Sequence, residues 1–213
     1  MIQDASGILG LSTVAIFASL AVLSVVALTV TIFKVMQFRR MGVGRRAEAD
    51  AALDDWLDGR PDQGLSVAGQ GRSVLTRVLA AVMDGLRARP GDPAYAEELG
   101  RQSALEELAA LNGRMRLLEA VVQAAPMLGL LGTIIGMIDA FSALSLSQDA
   151  VNPAQLAGGI WTALTTTAIG LAIALLTYFA ASWLEGRIEA ERQRMEMAIS
   201  AAIHGRIGRS GRR

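Results

Sequence analysis

The chain is 213 residues long and carries 20 basic and 20 acidic side chains, a formal net charge of zero. Apolar residues make up 52% of it, charged residues 19% and aromatics 5%, a balance tilted away from soluble domains and towards membrane proteins. Cysteine is absent and His204 is the single histidine, which excludes a disulfide framework, a thiolate metal site, a thiol nucleophile and a histidine-ligated metal.

The first element runs from Leu11 to Met36 and is interrupted by charge only at Lys34. Roughly 20 apolar residues, at 1.5 Å each, cross about 30 Å of hydrocarbon, so the segment is long enough to span a bilayer. Its leading residues, MIQDASG, hold an acid and no base, and its apolar core far exceeds the roughly 7 to 15 residues of a signal sequence. It reads as a retained span over 11–37, after a short segment 1–10. Lys34 is expected to snorkel its ammonium to the interface.

Residues 38–119 read as helices outside the membrane. Arg46 to Leu57 patterns as an amphipathic helix, Gly59 to Arg72 as a loop, and Ser73 to Arg87 as a helix with Val74, Val78, Leu79, Val82 and Leu86 at helical spacing. After the break at ARPGDP, Leu105, Leu108, Met115, Leu118 and Val122 recur at three- and four-residue steps. One uninterrupted helix is expected from about Ala96 to about Ala143. It includes the second span, 120–146, whose apolar part Ala120–Ile138 lies between Glu119 and Asp139. A connection at 147–157 precedes the third span, 158–184, which sits in a stretch with no charge between Asp149 and Glu185. Helix-forming residues continue through 185–213 as far as Ile203, so a helix from Gln155 would be roughly 70 Å long, well beyond the bilayer. The fold class is an all-α membrane protein with three transmembrane helices, the second and third extended into the cytoplasm.

Orientation follows from the arginines. Arg39, Arg40, Arg45 and Arg46 follow the first span, and Arg187, Arg192, Arg194, Arg206, Arg209, Arg212 and Arg213 follow the third, while residues 1–10 and Asp139–Ala157 hold no Lys or Arg. Because short basic flanks stay inside, the amino terminus and 147–157 are placed in the periplasm, and 38–119 and 185–213 in the cytoplasm. The arginine clusters lack interleaved aromatics and read as topological signals, with no nucleic-acid partner. Enzyme chemistry finds no support: GVGRR at Gly42 lacks the Lys-Ser/Thr of a phosphate loop, no GxSxG, HExxH or paired-carboxylate arrangement appears in a foldable context, and the acids of the cytoplasmic segment are spread over helical faces. The chain is read as a non-enzyme without cofactor or metal.

The spans carry sharper patterns. Pro126, Gly129, Thr133, Gly136 and Ala140 recur at steps of 3, 4, 3 and 4, and Gly132 with Gly136 forms GxxxG. On the third span Thr162, Thr166, Gly170 and Ala174 form an i, i+4 row, with Thr165 and Thr167 on neighbouring faces. Small residues let helices approach closely, while small and polar residues together also suit a narrow aqueous lumen or a partner helix, and both readings stand. A buried Thr can satisfy itself on a carbonyl three or four residues back.

These residues resemble the inner-membrane proton-channel proteins ExbB and TolQ, relatives of the flagellar stator protein MotA. The likeness rests on APMLGLLGTIIGMIDAF, from Ala125 to Phe141, and AGGIWTALTTTAIGLAIAL, from Ala157 to Leu175. It extends to span order, an outside amino terminus and long cytoplasmic helices, and three spans match the ExbB/TolQ branch.

The resemblance implies a multi-pass protein of the bacterial inner membrane, acting as an energy-transducing proton-channel subunit whose client does biopolymer uptake or envelope maintenance. It implies a homo-oligomer, pentameric in the family, in which the second and third spans line a central space. A single-span ExbD/TolR-like partner would insert there and bring a membrane Asp, with a TonB/TolA-like transducer as a further partner and lipid around the whole. Thr133 and Thr167 match the family's lumen-facing threonines, and Thr162 and Thr166 lie on the same lining, while Pro126, Gly129, Gly132, Gly136 and Gly170 would pack helices. Two departures stand out: Thr162 replaces a Glu often found there, and Leu175 a Pro. Asp139 is either an acid at the outer end or an ordinary helix-end residue. The alternative to a channel is a non-conducting oligomeric scaffold or signalling anchor.

Overall fold

A computed structural model describes residues 2–146 and 153–205. Among the described residues there are seven α-helices and no strand: α1 (Ile2–Arg40), α2 (Ala47–Leu57), α3 (Pro61–Gln70), α4 (Val74–Ala88), α5 (Pro93–Asn112), α6 (Met115–Leu146) and α7 (Pro153–His204). Three stretches, within Ser12–Arg40, Pro93–Ser142 and Leu156–His204, are long and apolar enough to cross a membrane. The chain is an all-α, three-span membrane protein. It divides into two compact units, one of Met1–Ile32 with Arg114–Ser182 and the other of Phe33–Gly113 with Trp183–Arg213.

In the first unit, Ile16, Leu20, Ala125 and Ala174 are buried, with Leu23, Leu128, Ile135 and Ile173 packed against them. The larger side chains point outward: Val25, Leu130, Ile134, Leu175 and Phe179 are all exposed, and Leu176 is 73% exposed. That inverts a soluble core, as expected where the surrounding solvent is hydrocarbon and close backbone approach holds helices together. Of the connection expected at 147–157, residues 147–152, with Asp149, lie outside the described residues, as do Arg206, Arg209, Arg212 and Arg213. From Pro153 the chain is already α7, because proline's fixed φ suits a first helical turn.

The second unit is built as a soluble domain. Val74, Val78, Leu79, Val82 and Met83 make one fully buried stripe of α4, and Ala52, Leu53, Ala68, Ala96, Met195 and Ile199 close over it from α2, α3, α5 and α7. Ser73 caps α4 by accepting the Thr76 N–H at 3.2 Å. The loop expected over 59–72 is instead largely helix. Its two internal glycines lower intrinsic helicity, but Pro61 starts α3, and Gly64 meets α2 so closely that a Cβ there would lie 2.7 Å from the Ala52 carbonyl oxygen. Packing of Gly64 and Ala68 overrides propensity.

The uninterrupted helix expected across 96–143 is also corrected. The break falls at Gly113 and Arg114, the latter with φ of +66°, so α5 and α6 are separate. Asn112 and Gly113 form a helix stop that hydrophobic periodicity does not register. The last carbonyls of α5 are individually satisfied: Leu108 by Asn112 Nδ2 at 3.0 Å, Ala109 by the Gly113 N–H at 3.0 Å, Ala110 by Gln37 Nε2 at 3.0 Å, and Leu111 by Lys34 Nζ at 2.5 Å. Lys34 therefore does not snorkel: its side chain has no exposed surface, and its ammonium caps α5 while contacting Gln37 Oε1 at 3.1 Å. A cation at a helix C-terminus meets the negative end of the dipole, which here replaces hydration.

Candidate functional site between the second and third spans

Within the first unit, α6 and α7 meet along their small residues. A Cβ at Gly136 would lie 2.9 Å from Ala163 Cβ, at Gly159 2.6 Å from Ala140 Cβ, and at Gly170 2.5 Å from the Ala125 carbonyl oxygen. At Gly132 it would overlap the Thr166 hydroxyl, and at Gly129 it would lie 3.0 Å from the Thr166 carbonyl oxygen. Glycine is required here because no side chain fits between the backbones. Pro126 sits inside α6, where it removes one ladder N–H, and is half-buried.

The threonines divide by what their hydroxyls do. Thr166 is fully buried and donates to the Ala163 carbonyl at 2.7 Å, with the Gly129 carbonyl oxygen at 3.4 Å. Thr167 reaches across to the other helix, donating to the Gly129 carbonyl at 2.8 Å. Thr133, Thr162 and Thr165 donate to their own helices, to Leu130 at 2.6 Å, Gly158 at 3.0 Å and Trp161 at 2.8 Å. These three are half-exposed. A hydroxyl whose proton is spent on a carbonyl still offers oxygen lone pairs, so each presents an acceptor outward.

Thr133 also edges an open hollow on α6 shared with Ile134, Met137, Ile138, Phe141 and Ser142. Asp139 is half-buried and does not line that hollow, so the structure does not bring it together with Thr133. Gly129 thus serves twice, as a surface without a side chain and as the carbonyl that Thr167 grips. Sequence reasoning found Gly129, Gly132, Gly136 and Gly170 but missed Gly159 and Ala163, which complete the seam from α7. The signal was there: Gly159, Ala163, Thr166 and Gly170 are spaced 4, 3 and 4 apart.

Residues 70–197 match the MotA/TolQ/ExbB proton channel family, a stretch that includes the seam and much of the second unit. An ExbB homolog of Methanothermobacter thermautotrophicus is 32% identical over 136 residues, covering 63% of this chain and 46% of that protein. The biopolymer transport protein exbB1 of Vibrio cholerae is 41% identical over 64 residues, 30% of this chain and 28% of its own length. The Tol-Pal system protein TolQ of Haemophilus influenzae is 38% identical over 87 residues, 41% and 38% of the two chains. The chain thus spans less than half the length of each of these three relatives. With a family match over more than half of its residues and relatives of ExbB and TolQ type, the chain belongs to the MotA/TolQ/ExbB proton channel family, on the ExbB/TolQ branch.

Proposed function

We propose that this chain is the multi-span subunit of a proton-driven motor in the bacterial inner membrane, coupling proton-motive force to work on a periplasmic or outer-membrane client. The observation that carries this reading is the division among the threonines. Thr166 is consumed within the protomer, whereas Thr133 and Thr162 keep half-open acceptor oxygens on helices otherwise covered in Leu, Ile and Phe. In hydrocarbon an open polar face calls for protein or water, and a ring of protomers around a narrow lumen supplies both.

In this reading the ring is a pentamer with periplasmic amino termini, and a single-span ExbD/TolR-like partner brings a protonatable Asp into it. Thr133 and Thr167 would meet water or the partner's carboxyl, a hydroxyl whose proton is already given to a backbone carbonyl being suited to accept from the protonated form. A TonB/TolA-like transducer would carry the motion outward. One proton charge moved through about 100 mV releases about 2.3 kcal/mol, to which any pH gradient adds.

The test is reconstitution of the full chain with a single-span partner in vesicles under an imposed potential, with internal pH followed by a dye. Partner-dependent acidification is expected, reduced about tenfold by Thr133→Val, as for loss of one hydrogen bond of about 1.4 kcal/mol at the limiting step. A correctly assembled complex without partner-dependent flux would sink the proposal. Thr162 favours a second reading, a non-conducting scaffold, because its hydroxyl is tied to Gly158 and cannot relay charge as the Glu often found there would. Thr162→Glu should alter flux in a motor and change nothing in a scaffold.

A further inference from the structure

We propose that the turn joining α1 to α2, together with the start of the outer segment of α7, binds anionic phospholipid headgroups. The residues all belong to the unit formed by Phe33–Gly113 and Trp183–Arg213. Arg39 and Arg40 close α1, Arg45 and Arg46 end the turn, and Arg187 lies one helical turn beyond Trp183. Gly42 and Gly44 adopt φ of +66° and +87°, left-handed conformations that coil the turn against α7. The approach is so close that a Cβ on Gly44 would sit 3.0 Å from Arg187 Nη2.

The pairing of charge points to a missing anion. Elsewhere in this unit arginines are generally matched: Arg60 to Asp55, Arg77 to Glu107 and Arg194 to Glu191. Arg39, Arg40, Arg45, Arg46 and Arg187 are exposed and form no ion pair among the described residues. Glu48 and Glu185, the acids adjacent in sequence, are exposed and pair with none of them. The carboxylate that does reach the turn, Glu191, is fully buried: its Oε2 accepts from the Gly44 N–H at 3.2 Å and from Arg194 Nη1 at 2.7 Å, while its Oε1 faces the interior without a hydrogen-bond partner.

The backbone offers the anion little. The Val43 and Arg45 N–H groups are spent on Phe38 and Gly42 carbonyls at 3.0 Å each, and the Gly44 N–H on Glu191. Recognition therefore falls to guanidinium forks, which match two phosphate oxygens at once. The setting selects lipid over a soluble anion. The apolar window of α1 closes at Arg40, and α7 is free of charge until Glu185, next to the exposed ring of Trp183. Arg187 stands 6.0 Å from that ring, an amphipathic pair suited to headgroup depth. Four to eight cations immediately beside a span are an electrostatic footprint for anionic lipid. The proposal needs the spans and not the channel.

The experiment uses the full chain in mild detergent, incubated with phosphatidylglycerol or with phosphatidylcholine of the same acyl chains, and native mass spectrometry to count bound lipid. Phosphatidylglycerol should be retained in clear preference. Arg45→Gln with Arg187→Gln should weaken that retention by about 25-fold, roughly fivefold per guanidinium, while Arg101→Gln, an ion-paired arginine of the same unit, should leave it unchanged. Should the double variant not fold, Arg45→Glu alone, on the exposed turn, gives the same reading. Equal retention of the two lipids, a preference that survives the substitutions, or displacement of the lipid by millimolar inorganic phosphate would each overturn the proposal.

Discussion

Replacing Lys34 by Met tests whether a buried ammonium holds the end of α5. The substitution keeps most of the aliphatic volume and removes the charge. What is lost is the bond to the Leu111 carbonyl at 2.5 Å and the contact with Gln37 Oε1 at 3.1 Å. A hydrogen bond from a charged donor contributes about 1.5–3 kcal/mol, and a carbonyl left unpaired in the interior costs about 1–3 kcal/mol, two views of the same loss that are not summed. The helix dipole adds up to about 2 kcal/mol in favour of a cation in a buried position. Against these stands the desolvation of the ammonium, several kcal/mol, which Met does not bear. With the cap and the dipole at their upper ends, about 5 kcal/mol together, and a desolvation of about 3 kcal/mol, the net expectation is destabilisation by about 2 kcal/mol. For a chain of this size that lowers the melting midpoint by about 4–8 °C, read from tryptophan fluorescence in detergent, with Trp56 reporting on this unit. Lys34→Ala also removes methylenes worth about 0.8 kcal/mol each and should fall further. If Lys34→Met melts at or above the parent temperature, desolvation outweighs the cap and the reasoning fails.

The seam between α6 and α7 makes Gly170 and Gly158 opposites. Gly170→Ala should destabilise by about 1–3 kcal/mol, whereas Gly158→Ala, where a Cβ would meet nothing within 4 Å, should be neutral or stabilising by up to about 1 kcal/mol; equal effects in thermal melts would contradict the packing described. Thr167→Val removes the donor to Gly129 and should cost about 1 kcal/mol in the same assay, with no loss pointing to a bond that water replaces. Glu107→Gln should cost about 1 kcal/mol at low salt and less at high salt, because Arg77 grips that carboxylate with two nitrogens, one at 2.6 Å, yet is partly exposed. The Glu189 carboxyl is held below its ordinary range chiefly by the hydrogen bond from Arg192, then by that from Gln193. Its contribution is present above the unfolded pKa and fades as pH falls through the lowered one, so any gap between the parent and Arg192→Gln at about pH 7 should close in acid.

The three spans and their order were legible because a run without charge has few physical destinations other than a bilayer. The α6 side of the glycine seam was legible in part, since Gly129, Gly132 and Gly136 suit either close helix packing or a narrow lumen, and only the contacts with Thr166 and Ala163 show that they pack within the protomer. What escaped was decided by contacts remote in sequence. Gly64 lowers helix propensity yet makes α3 possible, because α2 lies against it; propensity sees the first effect only. The stop at Asn112–Gly113 was overridden in reading by apolar residues that keep helical spacing on both sides of it. Lys34 looked like a snorkelling side chain because its partner, Leu111, lies 77 positions away. The threonines were singled out as a group, but which hydroxyl turns inward depends on the rotation of α7 against α6, and no spacing rule sets that to within one residue.

The buried ammonium of Lys34 has a consequence for labelling chemistry. It is the sole lysine of the chain, the other 19 basic residues being arginines. Amine-directed acylating reagents and crosslinkers will therefore find no exposed lysine side chain. Slow acylation at Lys34 would record each excursion in which the end of α5 comes free of α1, and its rate would measure the free energy of that opening without any probe being added to the sequence.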